Sequence, residues 1–348
     1  MNRDWLLSVA DYPIKYSLTR DPVFIDGLLA NADVALWLSS LGGRVASGGL
    51  ADIHGSHDYR YENIIKKCFV LGLDSRVPEF DAYIAFYINF LNEQIVKEHG
   101  ETLTFGKMYQ FRDYETVLAC YLPLLGYANE PCVRFIAEKR ANLLYGFTKQ
   151  GRYDIYADVT GLPGIKKEWK PFIVDPALYA DGNIRVPTIH DFILFAGMYS
   201  SLDEAEKVKV ETIVGWIFSD SYKKLIGNYY FYAPQDPAYK TKSLAHRLVL
   251  PEVSDQDGNQ GNLLFLCYIF SHFKTARSSV WFCETLGYLE SFKNADGRYV
   301  FPPNLIIEQK DGPRMNPGEQ RKNPFYAEIV STYWMERIYD NLDIFKNG

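Results

Sequence analysis

Apolar residues recur along this chain at three- and four-residue intervals, the spacing that lays one stripe along a helix. Over 78–98, Phe80, Tyr83, Ile84, Tyr87, Ile88, Leu91 and Ile95 form such a stripe. Residues 130–147 repeat it with Val133, Ile136, Ala137 and Leu144. A third helix is predicted over 203–219, because Asp203 and Glu204 place acids at the positive end of a helix dipole. Pro78, Pro131 and Pro187 mark helix starts, since proline fits a first turn. Period-two alternation is scarce, and short extended pieces are expected only at Arg298–Phe301 and Ile306–Gln309.

The stripes group into four helical hairpins: 61–73 with 78–98, 114–126 with 130–147, 188–200 with 203–219, and 261–274 with 278–293. In each, a helix that is apolar nearly all round precedes an amphipathic one. The first helix ends near Gly72, Gly126 or Gly197, read as left-handed caps or close-packing points. The second runs into a glycine–x–tyrosine at Gly151, Gly227 and Gly297. A helix buried all round needs protein on every side, whereas an amphipathic one can face water. The alternation therefore predicts an all-α fold with inner and outer layers, an α/α toroid in one domain over 1–348. Segments 21–41 and 324–342 add flanking helices, and irregular insertions fall near 150–187 and 228–260. An open helical-repeat solenoid is the competing arrangement; variable repeat length and the insertions speak against it.

Three stretches carry a family resemblance. Trp5-Leu6-Leu7 through Tyr12-Pro13-Ile14-Lys15-Tyr16 resembles the opening "WLL…P-x-x-[RK]-Y" segment of small bacterial proteins with squalene–hopene-cyclase-like or prenyltransferase-like repeats. Leu286-Gly287-Tyr288-Leu289-Glu290-Ser291-Phe292 through Asp296-Gly297-Arg298-Tyr299 resembles their repeat "L-x-x-L-x-x-x-Q-x-x-D-G-x-W". Ser331-Thr332-Tyr333-Trp334-Met335 through Arg337-Ile338 resembles their closing helix. The chain thus resembles the terpenoid cyclase and protein prenyltransferase superfamily, which implies the toroid and an isoprenoid-like substrate. It departs from the repeat at Lys293 or Asn294 and at Tyr299, and it lacks the D-x-D-D acid motif; Asp255-Gln256-Asp257-Gly258 is the nearest string and reads as a polar turn. Asp296 belongs to a structural repeat and receives no catalytic role.

Composition narrows the partners. Of 348 residues, 47% are hydrophobic and 23% charged, so a large core is expected rather than disorder. A net charge of −6 gives no basic footprint for nucleic acid or anionic lipid. The start of the chain does not read as an export signal, and no apolar run approaches the ~20 residues of a membrane span. Five scattered cysteines do not form a disulfide framework. A cytoplasmic protein acting on a small apolar molecule is expected, with no cofactor, no metal, no nucleic acid and no membrane span. Oligomeric state is not legible. Aromatic content is high at 16%, with 26 tyrosines and 22 phenylalanines, which suits helix seams and ring-lined cavities alike.

Candidate chemistry lies just before each inner helix, where first turns present unpaired N–H groups and polar side chains toward a central cavity. His57 with Asp58 and His190 with Asp191 are the candidate catalytic pairs, because a carboxylate beside histidine orients a proton shuttle. Asp58 and Asp191 could equally cap their helices, and His190 could fill core. His54, Tyr59, Tyr61, Arg112, Tyr114, Tyr230 and Tyr326 are the candidate substrate-binding residues. Tyr232 could also line the cavity, and Arg60 and Arg247 are further anion holders. No C-x-x-C, H-E-x-x-H, D-D-x-x-D, Gly-rich nucleotide loop or Gly-x-Ser-x-Gly occurs. Three functions fit: acid–base chemistry on an apolar, isoprenoid-like substrate; a carbohydrate-active lyase or hydrolase on an α/α barrel; or a non-catalytic ligand-binding protein.

Overall fold

Helices form where the apolar stripes place them. A computed structural model describes residues 2–50, 53–55, 59–97, 114–179, 182–232, 241–242, 247–253, 260–306 and 315–343. In chain order the helices are α1 (Asn2–Val9), α2 (Tyr12–Thr19), α3 (Ile25–Ala30), α4 (Ala32–Ala46), α5 (Tyr61–Val70), α6 (Pro78–Lys97), α7 (Tyr114–Ala119) and α8 (Pro131–Thr148). They continue with α9 (Ile189–Met198), α10 (Glu204–Phe218), α11 (Asp220–Lys223), α12 (Gln260–Phe270), α13 (Lys274–Arg277), α14 (Val280–Glu290), α15 (Pro303–Ile306) and α16 (Tyr326–Asp343). Strand among the described residues is confined to the two-residue antiparallel pair β1 (Phe231–Tyr232) and β2 (Thr241–Lys242), with isolated bridges such as Lys293 with Tyr299. The fold class is all-α.

The helices of the four expected hairpins form as α5 and α6, α7 and α8, α9 and α10, and α12 and α14; of these pairs, α7 packs on α8 and α12 on α14. Burial separates their members as the apolar patterns require. Every residue of α7 is buried, as are all of α9 except Ile189 and Gly197 and the whole run Leu263–Phe270 of α12. The returning helix α8 instead buries one stripe, through Val133, Ile136, Ala137, Ala141 and Leu144. Caps set the boundaries. Asn31 accepts hydrogen bonds from the backbone N–H groups of Asp33 and Val34 and so separates α3 from α4. Asp203 and Glu206 exchange side-chain-to-backbone bonds at the start of α10.

Two expectations need correction. Gly72 and Gly126 take left-handed backbone in the turns that follow α5 and α7, at φ +77° and +94°, a conformation that a Cβ would strain. Gly197 does not; it lies inside α9, which continues to Met198. Ile306, expected to begin an extended piece, closes the short helix α15. Its chain neighbours 307–309 lie outside the described residues. The expected extended piece at 298–301 is non-helical, with Tyr299 bridged to Lys293.

The chain's contacts group it into two compact units. The first comprises residues 1–86, 124–126 and 250–348, the second residues 87–123 and 127–249. In the first, α16 packs against α1, α12 and α15, while α2, α3, α4 and α5 pack in succession. In the second, α8 is central and packs against α7, α9 and α10. The insertion at 150–187 belongs to this second unit and carries a small core of its own around Val159, Ile165 and Ile173. Among the described residues no single helix is long and apolar enough to cross a membrane.

Candidate functional site

The start of α5 holds a histidine–carboxylate pair in the first unit. Glu62 stands in the first turn of α5, and its backbone N–H bonds to the Ile53 carbonyl. Asn63 Nδ2 donates to the Gly55 carbonyl at 3.0 Å, which ties the 53–55 loop to the helix a second time. The loop so held places His54 Nδ1 2.6 Å from Glu62 Oε2, with both side chains half-buried. A short carboxylate contact to one ring nitrogen fixes the tautomer and aim of an imidazole, the arrangement a proton-transfer histidine needs. Tyr61, expected to bind substrate, is fully buried in the core. Tyr59 is 55% exposed, its ring 5.7 Å from that of Trp37. Tyr326 opens α16 and is half-buried. His57, Asp58 and Arg112 lie outside the described residues.

In the second unit, Asp191 is a structural carboxylate. It sits at the third position of α9 and accepts from both the backbone N–H and the hydroxyl of Thr188, at 2.8 and 2.9 Å. Arg140 of α8 clamps it from the other side, with Nε 2.8 Å from Oδ1 and Nη2 3.1 Å from Oδ2. Arg140 Nη1 also donates to the Ile184 carbonyl at 2.7 Å. Asp191 is fully buried and Arg140 4% exposed. Both oxygens of this carboxylate are therefore engaged, one by the guanidinium alone and the other by the guanidinium and Thr188. Asp191 thus serves as the third-residue partner of the Thr188 cap and as the ion-pair partner of Arg140. His190 beside it is 3% exposed, and Tyr114 is buried on α7, which packs on α9. Tyr230 lies apart from them in the sequence and stacks on Trp169, with ring centroids 4.9 Å apart, at the small core of the insertion. Tyr232 donates to the Pro163 carbonyl, and Arg247 to that of Gly227.

Sequence reasoning missed a polar network inside the first unit. Asp74, 3% exposed, accepts from the Tyr16 hydroxyl at 2.7 Å and from Arg76 Nη2 at 2.6 Å, and lies 3.3 Å from Arg20 Nη1. Burial works to raise the Asp74 carboxyl, but the hydrogen bonds from Arg76, the charge of Arg20 and the Tyr16 hydroxyl outweigh it and hold the group below its ordinary value. Burial, then the same carboxylate, pushes Tyr16 up to about 12. On α16, Tyr333, Arg337 and Asn341 recur every fourth residue and share one face. That four-residue spacing of polar tips was the available signal.

Asn341 defines the state of a histidine. Its Nδ2 lies 2.8 Å from Ser271 Oγ and 3.0 Å from His272 Nε2. An amide N–H only donates, so His272 Nε2 accepts and the ring is neutral with its proton on Nδ1. Burial, followed by the charges of Arg337 and Arg277, pushes His272 down to about 3. An unfolded imidazole protonates near 6.5, so between these values the unfolded chain holds the extra proton and stability falls as pH drops. From pH 7 to pH 5 this is a loss of about 2 kcal/mol. His272→Gln keeps an acceptor and cannot titrate; urea unfolding at the two pH values is expected to show a pH-dependent loss smaller by that amount.

Comparison with known protein families, with curated proteins and with solved structures yields no match.

Proposed function

We propose that the protein is an acid–base enzyme acting on a small, largely apolar, isoprenoid-like molecule, with His54 as the proton-transfer group and Glu62 as the carboxylate that orients it. The observation that carries this reading is the 2.6 Å His54–Glu62 contact on a loop bonded twice to the first turn of α5. Of the two histidine–aspartate pairs expected to act, Asp191 is engaged by Arg140 and Thr188, which moves the weight to His54. The reading includes a two-layered α/α toroid of the terpenoid cyclase and prenyltransferase kind; its support is the alternation of all-round-buried and one-sided helices in successive hairpins. It also includes a cytoplasmic location, in keeping with five cysteines that form no disulfide, four of them buried.

The test begins with mass spectrometry of compounds released from the purified protein by gentle extraction. Turnover of the compound so identified is then measured in variants. His54→Ala is expected to lower kcat by about 10²–10⁴-fold, the usual contribution of a positioned acid or base. Glu62→Gln should give a smaller loss in the same direction. Unchanged kcat in His54→Ala would remove this histidine from the mechanism. A second reading, ligand binding without turnover, draws on the engaged state of Asp191, and the same experiment separates it: the extracted compound would then be recovered unaltered after incubation with the protein.

A further inference from the structure

Arg337 is a cation without a carboxylate. Its Nη1 donates to Ser17 Oγ and to the Tyr333 hydroxyl, both at 2.9 Å, and its Nη2 donates to the Tyr268 hydroxyl at 3.0 Å. The rings of Phe69, Tyr268 and Tyr333 stand around the guanidinium, with centroids 5.9, 5.3 and 5.8 Å from its carbon. Among the described residues no Asp or Glu pairs with it. All of these groups belong to the first unit.

Counting protons shows what this cluster lacks. The Ser17 and Tyr333 hydroxyls bond to each other at 2.7 Å, which uses one of their two hydrogens. An arginine offers five N–H donors and no acceptor. After the bonds above are made, Arg337 retains its Nε–H and one Nη2–H. The Tyr268 O–H and one hydroxyl hydrogen of the Ser17–Tyr333 pair also remain. None of these meets a protein acceptor among the described residues. Donors of this density, with no acceptor left to share, are completed by a group that only accepts.

The charge balance points the same way. Arg20 and Arg76 share the Asp74 carboxylate, and Arg337 adds its charge beside Arg20. Arg20 and Arg337 repel each other, and burial with that repulsion lowers Arg20 from its ordinary value. Positive charge is therefore in excess at a spot walled by aromatic rings. Arg337 is half-buried and is the member of the cluster that solvent reaches, while Ser17, Tyr268 and Tyr333 are buried.

We infer that Arg337, with the Tyr268 hydroxyl, is a binding site for the carboxylate of an organic acid with an apolar body. A guanidinium edge presents two parallel N–H groups that match the two oxygens of a carboxylate, and the flanking rings accept a flat or aliphatic residue beside it. A single planar head with one negative charge suits a guanidinium that no carboxylate engages among the described residues. The site shares no residue with the His54–Glu62 pair and does not depend on its role.

Titration calorimetry on the full chain with octanoate, octyl phosphate and octanol, at equal ionic strength, tests the assignment. Octanoate is expected to bind and octanol to bind at least about tenfold more weakly, since a charge-assisted bidentate contact is worth that much or more. Arg337→Gln should lose octanoate binding by about tenfold or more. Tyr268→Phe keeps the ring and removes one donor; it should fold normally and lose severalfold in affinity, which keeps the test decisive if Arg337→Gln does not fold. His54→Ala should bind octanoate as the unaltered protein does. The inference is overturned if octanol binds as tightly as octanoate, if octyl phosphate binds tighter than octanoate, if none of the three binds, or if Tyr268→Phe binds octanoate unchanged.

Discussion

Replacing Arg140 with methionine is expected to cost about 3–5 kcal/mol of folding stability, the range for stranding one member of a buried ion pair. Asp191 would keep its two bonds from Thr188 but lose both guanidinium contacts while still fully buried and charged. The Ile184 carbonyl would lose its donor as well. Thermal unfolding followed by circular dichroism should show a midpoint lower by roughly 10 °C for a unit of this size. Pairing the change with Asp191→Asn removes the stranded charge and leaves an oxygen for the Thr188 cap. The double variant is therefore expected to recover a large part of the loss, and a double-mutant cycle measures the coupling. If Arg140→Met unfolds like the unaltered protein, the clamp contributes nothing and the account of α9 fails.

Asp74 carries the second large effect. Asp74→Ala would leave the buried Tyr16 hydroxyl without its acceptor and Arg20 and Arg76 without their shared counter-charge. A loss of about 3–5 kcal/mol follows from uncompensated charge and an unmade buried bond. Its pH dependence has a definite sign. The folded Asp74 carboxyl sits below its ordinary value, so its stabilisation is complete above about pH 4 and disappears as pH falls through the folded value. Urea unfolding should therefore show the full gap between Asp74→Ala and the unaltered protein at pH 6. The gap should narrow at pH 3. A gap constant with pH would mean that ionisation of Asp74 is not what holds the network.

The hairpins were legible because a helix stripe is a local pattern: each needs only residues three and four apart. The caps at Asp203 and Asn31 are local as well. Asp191 was visible as an acid at a helix start, yet its clamp comes from Arg140, 51 positions away, and periodicity says nothing about such a pairing. His54 was singled out without its partner Glu62, eight positions on, because the pairing depends on how the 53–55 loop folds back. Tyr61 and Tyr114 show the converse limit. Tyrosine serves a core as readily as a cavity, and both proved buried. Gly197 marked no helix end because only the backbone angle, not the residue type, makes a left-handed cap.

The bond between Arg337 and Ser17 joins positions 320 residues apart, and Asn31 reaches across 287 residues to the Gly318 carbonyl. The first unit is thus assembled from segments on either side of the second, whose bulk is the continuous stretch 127–249. On a ribosome, the early helices α1 to α5 must wait for α12 to α16 to emerge before their shared core can close. The intervening stretch has all its partners much sooner. Domains that complete early during synthesis are free to fold early, so nascent chains stalled after residue 249 should already protect α8 and α10 from proteolysis while α1 to α5 remain cleavable.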